Sequence, residues 1–256
     1  MTKHDTRMLE TAIDAVLKAG NVLQSYYGRN YLIMYKDERF DGGSIVTEAD
    51  IASEKKLVEV ISASFPYHNI CAEEGTIKSN GSSYTWYIDP LDGTSNFSRN
   101  IPLFGISIGL AENGKPILGV LYFPALDLLV HAEKGNGAFA NGKRIHVSDR
   151  ELKKSLYYSG GQYKGSLQIV KSVADGVGLV KIIDASSYEF AQIAMGDAEL
   201  YILNNVPHDV AAGVVIVREA GGKITDYDGR EWSFDSKKIV ASNGVIHSDV
   251  IGLLKN

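Results

Sequence analysis

The first part of the chain repeats its apolar residues at helical spacing. From Met8 to Tyr27 they recur in pairs three or four positions apart, with polar residues between them. This period predicts a long amphipathic helix. After a polar, glycine-containing connector (DERFDGGS), Thr47 can cap a second helix that runs to about Phe65, and Pro66 ends that helix.

Strand-like patterns follow the second helix. The segments NICA and SYTWYID predict strands, FGISIGLAENGKPILGVLYFP predicts a hairpin that turns at Asn113-Gly114, and LLVHAEKGNGAFANGKRI predicts another hairpin. From about Arg150, strands and helices alternate. We expect strands in LYYSG, GLVKIID, AELYIL and KKIVAS, and helices near 168–174, over 187–195, over 209–220 and at the C-terminal end.

This order of elements predicts an α/β (α+β layered) fold in which helices cover sheets. We expect a single domain over residues 1–256. Within it, a lobe of about residues 1–149 contains a mainly antiparallel sheet, and a lobe of about 150–256 contains the alternating helices and strands.

Composition narrows the classes of function. The chain has 256 residues and is 45% hydrophobic, which is enough to bury a full core. Its formal charge of −5 argues against a nucleic-acid partner, because binding to phosphate backbones requires clustered Lys and Arg. No apolar run approaches the roughly 18 residues of a membrane span, and the start MTKHDTRMLE lacks the apolar core of a signal peptide. Cys71 is the single cysteine, so we expect no intrachain disulfide and a reducing, cytoplasmic location.

Acidic residues stand at the ends of several predicted elements. Glu73 and Glu74 follow one strand, Asp89 and Asp92 follow another, and Asp209 begins a helix. Charged residues usually lie in solvated loops, and Asp209 before VAAGVVIV is also a good candidate for a helix N-cap.

The segment Asp89-Pro90-Leu91-Asp92-Gly93 favours a binding site over a solvated loop. Pro90 fixes its own φ angle and stiffens the turn, so the two aspartates can converge, and Gly93 permits a sharp backbone path. Converging carboxylates repel each other unless a cation neutralises them, and oxygen ligands suit Mg²⁺. These residues therefore indicate a metal site.

Taken together, the motifs resemble the signature of the inositol monophosphatase family. The matching blocks occur in order over nearly the whole chain. They are Val46-Thr47-Glu48-Ala49-Asp50, Glu73-Glu74-Gly75, Asp89-Pro90-Leu91-Asp92-Gly93-Thr94-x-Asn96-Phe97, Asp209-Val210-Ala211-Ala212-Gly213 and EAGGKITD. The resemblance implies the alternating helix and sheet layers of the inositol monophosphatase and fructose-1,6-bisphosphatase type, with the metal site in the N-terminal lobe. It also implies an enzyme that hydrolyses a small phosphate monoester.

The resemblance implies two or three Mg²⁺ ions and a set of ligands for them. Glu73, Asp89 and the main-chain carbonyl of Leu91 would hold one ion. Asp89, Asp92 and Asp209 would hold a second, with Asp89 bridging the two. Magnesium at such a site activates water for direct attack on phosphorus and stabilises the leaving oxygen. Inhibition by lithium and a homodimer are further properties that the resemblance implies.

The resemblance further implies catalytic and substrate-binding roles. Thr94 and Asp50 would orient and help to deprotonate the attacking water beside Glu73, while Thr47 and Asp50 also form a capping box. Backbone N–H groups of Gly93 and Thr94 would receive the phosphate. The expected substrate-binding residues are Asp92, Gly93, Thr94, Ser187 and Asp209. Glu74 is expected to support the site, and Lys36 lies near a basic position of the family, with a solvated lysine as the alternative.

Two positions depart from the family pattern. His208 stands where the family commonly has Trp, and we expect it to support the neighbouring Asp209 rather than bind the metal. Ile202 stands seven positions before Asp209, where inositol-specific members have an acid that contacts ring hydroxyls. The segment that matches the family's ring-contacting stretch contains Ser186-Ser187, a pair reminiscent of relatives that cleave adenosine bisphosphates.

Several alternatives remain at this stage. The substrate is most simply an inositol 1-phosphate, but fructose 1,6-bisphosphatase, histidinol-phosphatase and 3′(2′),5′-bisphosphate nucleotidase activities stay open. A protein that binds sugar phosphates without catalysis is the rival class, which the complete set of implied ligands disfavours. The GISIG segment matches a serine-hydrolase pattern, but it lies inside a predicted strand and not on the sharp strand-to-helix turn that this motif needs.

Overall fold

The N-terminal periodic segments fold as two helices. Helix α1 spans Lys3–Tyr26 and helix α2 spans Glu48–Ser64, as the sequence predicts. Thr47 Oγ1 accepts a hydrogen bond from the backbone N–H of Ala49 at 3.2 Å, and the Thr47 N–H donates to Asp50 Oδ2 at 2.8 Å. This capping box confirms the predicted start of the second helix.

The structure is a computed structural model that describes residues 3–35, 45–160, 166–204 and 206–255. The shorter helices in these ranges are α3 (Thr94–Phe97), α4 (Ser166–Ala174), α5 (Ser186–Ala194), α6 (Pro207–Glu219) and α7 (His247–Leu254). The strands are β1 (Ile33–Tyr35), β2 (Ile45–Thr47), β3 (Asn69–Ala72), β4 (Ile77–Lys78), β5 (Tyr84–Asp92), β6 (Gly105–Glu112), β7 (Lys115–Phe123), β8 (Leu128–Glu133), β9 (Gly137–Ala140), β10 (Lys143–Ile145), β11 (Leu156–Ser159), β12 (Leu179–Lys181), β13 (Leu200–Asn204), β14 (Lys223–Thr225) and β15 (Lys238–Ser242).

The larger sheet has eight strands in the order β10-β9-β8-β7-β6-β5-β3-β4. Its neighbouring strands are antiparallel except for β3 and β5, which confirms the predicted character of the first half of the chain. The β6–β7 hairpin turns at Asn113-Gly114, where both residues have positive φ angles. Such a two-residue turn matches the twist of the flanking strands.

The second sheet has five strands in the order β12-β11-β13-β15-β14. Strand β11 runs parallel to β12 and β13, whereas β15 runs antiparallel to β13 and β14. Strands and helices alternate through this half, as the sequence predicts. Strands β1 and β2 form a separate antiparallel pair.

The helices and sheets stack in five layers. Helices α1 and α2 cover one face of the large sheet, and α5 and α6 pack between that sheet and the smaller one. Helices α4 and α7 cover the outer face of the smaller sheet. Three groups of buried apolar side chains fill the contacts between the layers, and one of these groups covers both faces of the α5–α6 layer. Their burial supplies the main stabilisation of the fold. This arrangement confirms the predicted layered α/β fold.

Some local predictions were wrong. Asp209 is not an N-cap: helix α6 begins at Pro207 after Val206, so Asp209 lies within the first turn. Proline is well suited to the first helical position, and it moves the helix start ahead of the aspartate. The segment GLVKIID forms only the short strand β12, and the second predicted hairpin is a three-stranded meander, β8 to β10.

In the ranges that the structure describes, the helices are all too short or too polar to cross a membrane.

Candidate active site

Asp89 and Asp92 lie at the C-terminal end of β5, where the strand bulges. Between these aspartates, two residues of β5, Pro90 and Leu91, stand opposite one residue of β6, and the Leu91 N–H donates to Asp89 Oδ1 at 3.0 Å. Asp89 is 2% exposed and Asp92 is 8% exposed. The strand therefore continues to Asp92, beyond Asp89, where the predicted segment SYTWYID ends. The bulge turns both carboxylates into one buried region.

Four of the predicted metal ligands act on one another electrostatically. Burial raises the pKa of Asp89 well above its usual range, and the negative charges of Glu73, Asp92 and Asp209 raise that pKa further. Glu73 also shares a hydrogen bond with the Asp89 carboxyl group. Because such effects are strong only over a few ångströms, the fold brings together acids that lie far apart in the sequence.

The position of Glu73 follows from the sheet topology. Strands β3 and β5 are parallel neighbours, so their C-terminal ends lie at the same edge of the sheet. Glu73 directly follows β3, and its N–H donates to the Ile88 carbonyl at 3.0 Å. The Glu74 N–H donates to Glu54 Oε2 at 2.7 Å. Glu73 therefore stands beside the bulge that carries Asp89.

Asp209 reaches the site from the first turn of α6. His208 is its immediate neighbour, and His208 Nε2 lies 3.2 Å from Asp209 Oδ1. Both side chains are partly exposed, which distinguishes them from the buried pair Asp89 and Asp92. The contact agrees with the expectation that His208 acts on the neighbouring carboxylate.

Helix α6 can place Asp209 there because it lies directly on the large sheet. A Cβ atom at Gly109 would stand 2.5 Å from the Cβ of Ala211, and one at Gly119 would stand 2.4 Å from the carbonyl of Ala212. Real Cβ atoms essentially never approach other atoms so closely, so glycine is required at both strand positions. The close approach fixes the helix that carries Asp209 against β6 and β7.

Asp92 is held by the N-terminal end of α5. The Ser186 N–H donates to Asp92 Oδ1 at 3.0 Å, and the Ser187 N–H donates to Oδ2 at 2.6 Å. The Ser187 hydroxyl donates to Oδ2 as well. Burial raises the pKa of Asp92 to about 6, and the hydrogen bonds from Ser187 oppose that rise. Donors from α5 thus orient this carboxylate and favour its ionised form.

Thr94 and Asp50 form a second pair across the site. Thr94 Oγ1 lies 3.1 Å from Asp50 Oδ1 and 2.9 Å from the Leu91 carbonyl oxygen, so its single proton has two acceptors in reach. Burial raises the pKa of Asp50 to about 6, whereas its hydrogen bonds with Thr47 and Thr94 lower it. Asp50 is therefore mainly ionised at neutral pH and can accept the proton from Thr94.

Gly93 makes the sharp turn between β5 and α3. Its φ angle is +82°, and a Cβ atom there would lie 2.8 Å from the Leu103 carbonyl oxygen. The Asn96 side-chain amide donates to the carbonyls of Leu103 and Ile183, both at 2.9 Å. These contacts fasten the α3 turn to the segment that precedes α5.

The donor set fits a hard divalent cation by its chemistry. As they stand in the described ranges, no three His, Cys, Asp or Glu side chains are arranged so that they could hold a metal ion. The four acids Glu73, Asp89, Asp92 and Asp209 nevertheless supply only oxygen donors, and the charges of the other three raise the pKa of the buried Asp89. A cation relieves that repulsion, and carboxylate oxygens are the ligands that Mg²⁺ prefers.

Some residues of the predicted site lie elsewhere in the fold or outside the residues that the structure describes. Lys36 is outside the described residues. Ile202 is 2% exposed and packs in the apolar layer between the smaller sheet and helices α4 and α7. That position therefore contributes to the core and not to a substrate pocket. Ser107, the serine of the GISIG segment, is fully buried inside β6, which confirms that the segment lies in a strand.

Sequence reasoning missed several residues that hold the site together. Glu54 accepts hydrogen bonds from the loop after Glu73. Ser95 donates a hydrogen bond to Asp184, whose φ angle is +67°. Glu189 lies 1% exposed behind Asp92. Glu54 falls one helical turn after Asp50 and could have been found from that spacing, whereas the other contacts depend on tertiary packing.

Comparison with known proteins places this chain in a family. The model of the inositol monophosphatase family matches residues 4–256. A fructose-1,6-bisphosphatase/inositol-1-monophosphatase of Thermotoga maritima is 35% identical over 245 residues, covering 95% of this chain and 94% of that protein. A histidinol-phosphatase of Chlorobaculum parvum is 34% identical over 254 residues, covering 97% and 96%. A solved structure of a Thermotoga maritima inositol monophosphatase superposes with a TM-score of 0.89 at 34% identity, covering 97% of each chain.

The fold and the acidic site together define a phosphatase of the layered α/β class. The family match covers nearly the whole chain, and it agrees with the order of the motifs and with the layers. The chain belongs to the inositol monophosphatase family and is a phosphoric monoester hydrolase. Members of this family generally depend on metal ions, which agrees with the donor set described above.

Proposed function

We propose that this chain hydrolyses inositol 1-phosphate or a closely similar small phosphate monoester, with Mg²⁺ as its cofactor and water as the nucleophile. The observation that supports this proposal best is the buried Asp89 carboxylate, whose pKa is raised by three other acids. A protein with no cation to bind would gain stability by losing one of those charges.

The residues that would hold Mg²⁺ form two overlapping groups. One group is Glu73, Asp89 and the carbonyl of Leu91, and the other is Asp89, Asp92 and Asp209. When bound, the ions acidify water and compensate the charge of the phosphoryl oxygens. The Ser187 donors would keep Asp92 ionised and correctly oriented.

Thr94 and Asp50 would handle the proton of the attacking water. The Thr94 hydroxyl donates its proton to Asp50 Oδ1, which leaves the Oγ1 lone pairs free to accept a hydrogen bond from water. Asp50 is suited to this role because its pKa of about 6 lets it hold and return a proton near neutral pH. Glu73, which raises that pKa by its charge, stands on the same side of the site.

The substrate-binding groups are proposed from the same geometry. The backbone N–H groups of Gly93 and Thr94 at the start of the α3 turn would receive the phosphate, and Asp92 and Asp209 would face the leaving group. The buried Ser187 would contribute through its hydrogen bonds to Asp92. Ile202 supplies no acid at the position where inositol-specific relatives contact ring hydroxyls, and its side chain packs in the core. The relatives named for fructose 1,6-bisphosphate and histidinol phosphate therefore define the main alternative substrates.

A panel of purified phosphate monoesters tests this proposal. It contains myo-inositol 1-phosphate, fructose 1,6-bisphosphate, histidinol phosphate and adenosine 3′,5′-bisphosphate, each assayed by phosphate release with Mg²⁺, without added metal and with a chelator. We expect the highest kcat/KM for the inositol ester and no turnover with the chelator. A higher value for another ester would reassign the substrate, and turnover that the chelator leaves unchanged would remove the metal mechanism.

The proposal extends to assembly and location. We propose a homodimer, as the family resemblance implies, and a cytoplasmic location, which agrees with the single cysteine. Sedimentation of the purified protein tests the first, and fractionation of the source cells tests the second.

A further inference from the structure

Helix α2 presents a row of buried polar side chains to the site. Asp50, Ser53 and Glu54 follow one another at i, i+3 and i+4, so they lie on one face of the helix. They are 0%, 0% and 5% exposed. Asp50 contacts Thr94, and the Ser53 hydroxyl donates to the Pro90 carbonyl at 2.8 Å. Each of the three therefore reaches a different segment of the active site.

Glu54 makes the largest number of these contacts. Its Oε2 accepts a hydrogen bond from the Glu74 N–H at 2.7 Å, and its Oε1 accepts from the Thr76 N–H at 3.0 Å and the Thr76 hydroxyl at 2.6 Å. Hydrogen bonds to an ionised carboxylate are stronger than those between neutral groups. Hydrogen bonds to Glu54 therefore hold both ends of the loop that follows Glu73, at Glu74 and at Thr76, against α2.

These hydrogen bonds also restrict the backbone position of Glu73. Its own N–H donates to the Ile88 carbonyl of β5 at 3.0 Å, and the next N–H along the chain donates to Glu54. Between Glu74 and Thr76 the chain turns at Gly75, whose φ angle is +115°. Glu73 is thus held on one side by the strand that carries Asp89 and on the other by helix α2.

The contacts need a carboxylate of this length. All three partners of Glu54 are donors, so both of its oxygens must accept. A glutamine has the same shape, but its NH₂ group faces one of those donors and loses that hydrogen bond. An aspartate keeps both oxygens but is one methylene shorter than the distance that Glu54 spans.

We propose that Glu54 is a positioning residue, which sets the orientation of the metal ligand Glu73 through the Glu74–Thr76 loop. The inference rests on the proposed function, because it takes Glu73 to be a ligand. In this role Glu54 acts through its hydrogen bonds to Glu74 and Thr76 and not as a metal ligand itself. Residues that orient metal ligands from behind typically affect metal affinity about 10–100-fold.

Metal affinity of the metal-free protein tests the inference, measured with Mn²⁺ by titration calorimetry. We expect Glu54→Gln to weaken Mn²⁺ binding about 10–100-fold. The matched control is Glu219→Gln. Glu219 also accepts two loop N–H groups, from Gly135 at 2.8 Å and Gly137 at 2.9 Å, but at the β8–β9 turn. This control should lower the thermal midpoint and keep the parental Mn²⁺ affinity. Parental affinity in Glu54→Gln would overturn the inference.

A milder pair of variants covers the case in which Glu54→Gln does not fold. Thr76→Val removes the hydroxyl that donates to Glu54 and keeps the side-chain shape, and Thr76→Ser keeps the hydroxyl. We expect weaker Mn²⁺ binding in Thr76→Val and restored binding in Thr76→Ser. Equal affinities in the pair would overturn the inference. Glu73→Gln separates the two proposals: if it binds Mn²⁺ like the parent, the ligand assignment itself fails, and if it alone loses binding, only the role of Glu54 fails.

Discussion

The Thr94 hydroxyl lies 3.1 Å from Oδ1 of Asp50 and links the α3 turn to helix α2 across the site. The other carboxylate oxygen of Asp50 accepts from the backbone N–H and the hydroxyl of Thr47, at 2.8 and 2.5 Å. Asp50 therefore takes part both in the cap of α2 and in the site, whereas Thr94 belongs to the site. Substitution of Asp50 should therefore affect both the helix and the activity, whereas substitution of Thr94 should affect mainly the activity.

Thr94→Val should abolish most of the activity and leave the fold intact. The change removes the hydroxyl that passes a proton to Asp50, and general-base contributions of this kind are worth about 10²–10⁴-fold in rate. Phosphate release with Mg²⁺ measures kcat, and thermal unfolding measures the fold. Thr94→Ser keeps the hydroxyl and should retain activity near that of the parent. Full activity in Thr94→Val would remove Thr94 from the mechanism.

Ser187→Ala should weaken metal binding more than Ser186→Ala. The Ser187 hydroxyl donates to Asp92, whereas the Ser186 hydroxyl accepts from the Tyr201 hydroxyl at 3.0 Å and only its backbone N–H reaches Asp92. Loss of a donor to a metal ligand typically costs about 10-fold or more in affinity. Mn²⁺ titration of both metal-free variants makes the comparison, and equal affinities would contradict the assigned role of Ser187.

The parts of the fold that sequence patterns predicted are those with local causes. The long period of α1, the Thr47 cap of α2 and the Asn113-Gly114 hairpin each follow from neighbouring residues. Asp209 was misread as a cap because Pro207 moves the start of α6 ahead of it. The error concerned two positions of one helix, and the carboxylate still reaches the site.

The features that could not be predicted from the sequence depend on contacts between distant segments. Glu54 contacts Glu74 and Thr76, which lie 20 and 22 residues further along the chain. Its spacing from Asp50 indicates the helix face on which it lies, but not these partners. Ile202 shows the converse, since its family position suggested a pocket while the alternation of β13 turns its side chain into the outer core. Tertiary packing decides both cases.

Lithium should inhibit hydrolysis at fixed Mg²⁺. Li⁺ is a hard cation that competes for the same carboxylate oxygens but carries only one charge, so it neutralises the acidic cluster less well. Titration with LiCl at constant ionic strength, with KCl as the matched salt, measures the effect. The rate should fall in LiCl and stay constant in KCl. Equal curves in the two salts would contradict competition at the metal site.

His247 should make the stability of the protein depend on pH. It is 1% exposed at the start of α7, with Nε2 2.9 Å from the Thr225 hydroxyl and Nδ1 2.8 Å from the Ser242 hydroxyl. Burial and, to a smaller extent, the charge of Lys223 lower its pKa to about 4. The folded state therefore keeps His247 neutral, and the unfolded chain takes up its proton near pH 6.5.

The sign of this effect follows from proton uptake. The unfolded state binds more protons between pH 6.5 and about pH 4, so the free energy of unfolding falls as the pH falls through that window. The loss attributable to His247 is about 3 kcal/mol at most. Urea unfolding in the presence of a chelator measures it. His247→Gln should flatten the dependence, with the exposed His146→Gln as the matched control. An unchanged slope in His247→Gln would assign the effect to other groups.

Asp89→Asn should abolish hydrolysis and yet stabilise the metal-free protein. At neutral pH, the raised pKa of Asp89 means that its ionisation costs folding free energy, because burial opposes the charge first and the charges of Glu73, Asp92 and Asp209 oppose it further. The amide removes that charge, so the thermal midpoint in the presence of a chelator should rise by roughly 2–4 °C, equivalent to about 1 kcal/mol. Excess Mg²⁺ should stabilise the parent and leave the variant unchanged, because the variant lacks the bridging ligand. Thermal unfolding with and without Mg²⁺ separates the two effects. If the variant is less stable than the parent without metal, the charge of Asp89 does not destabilise the metal-free protein, and the argument for a cation at this position fails.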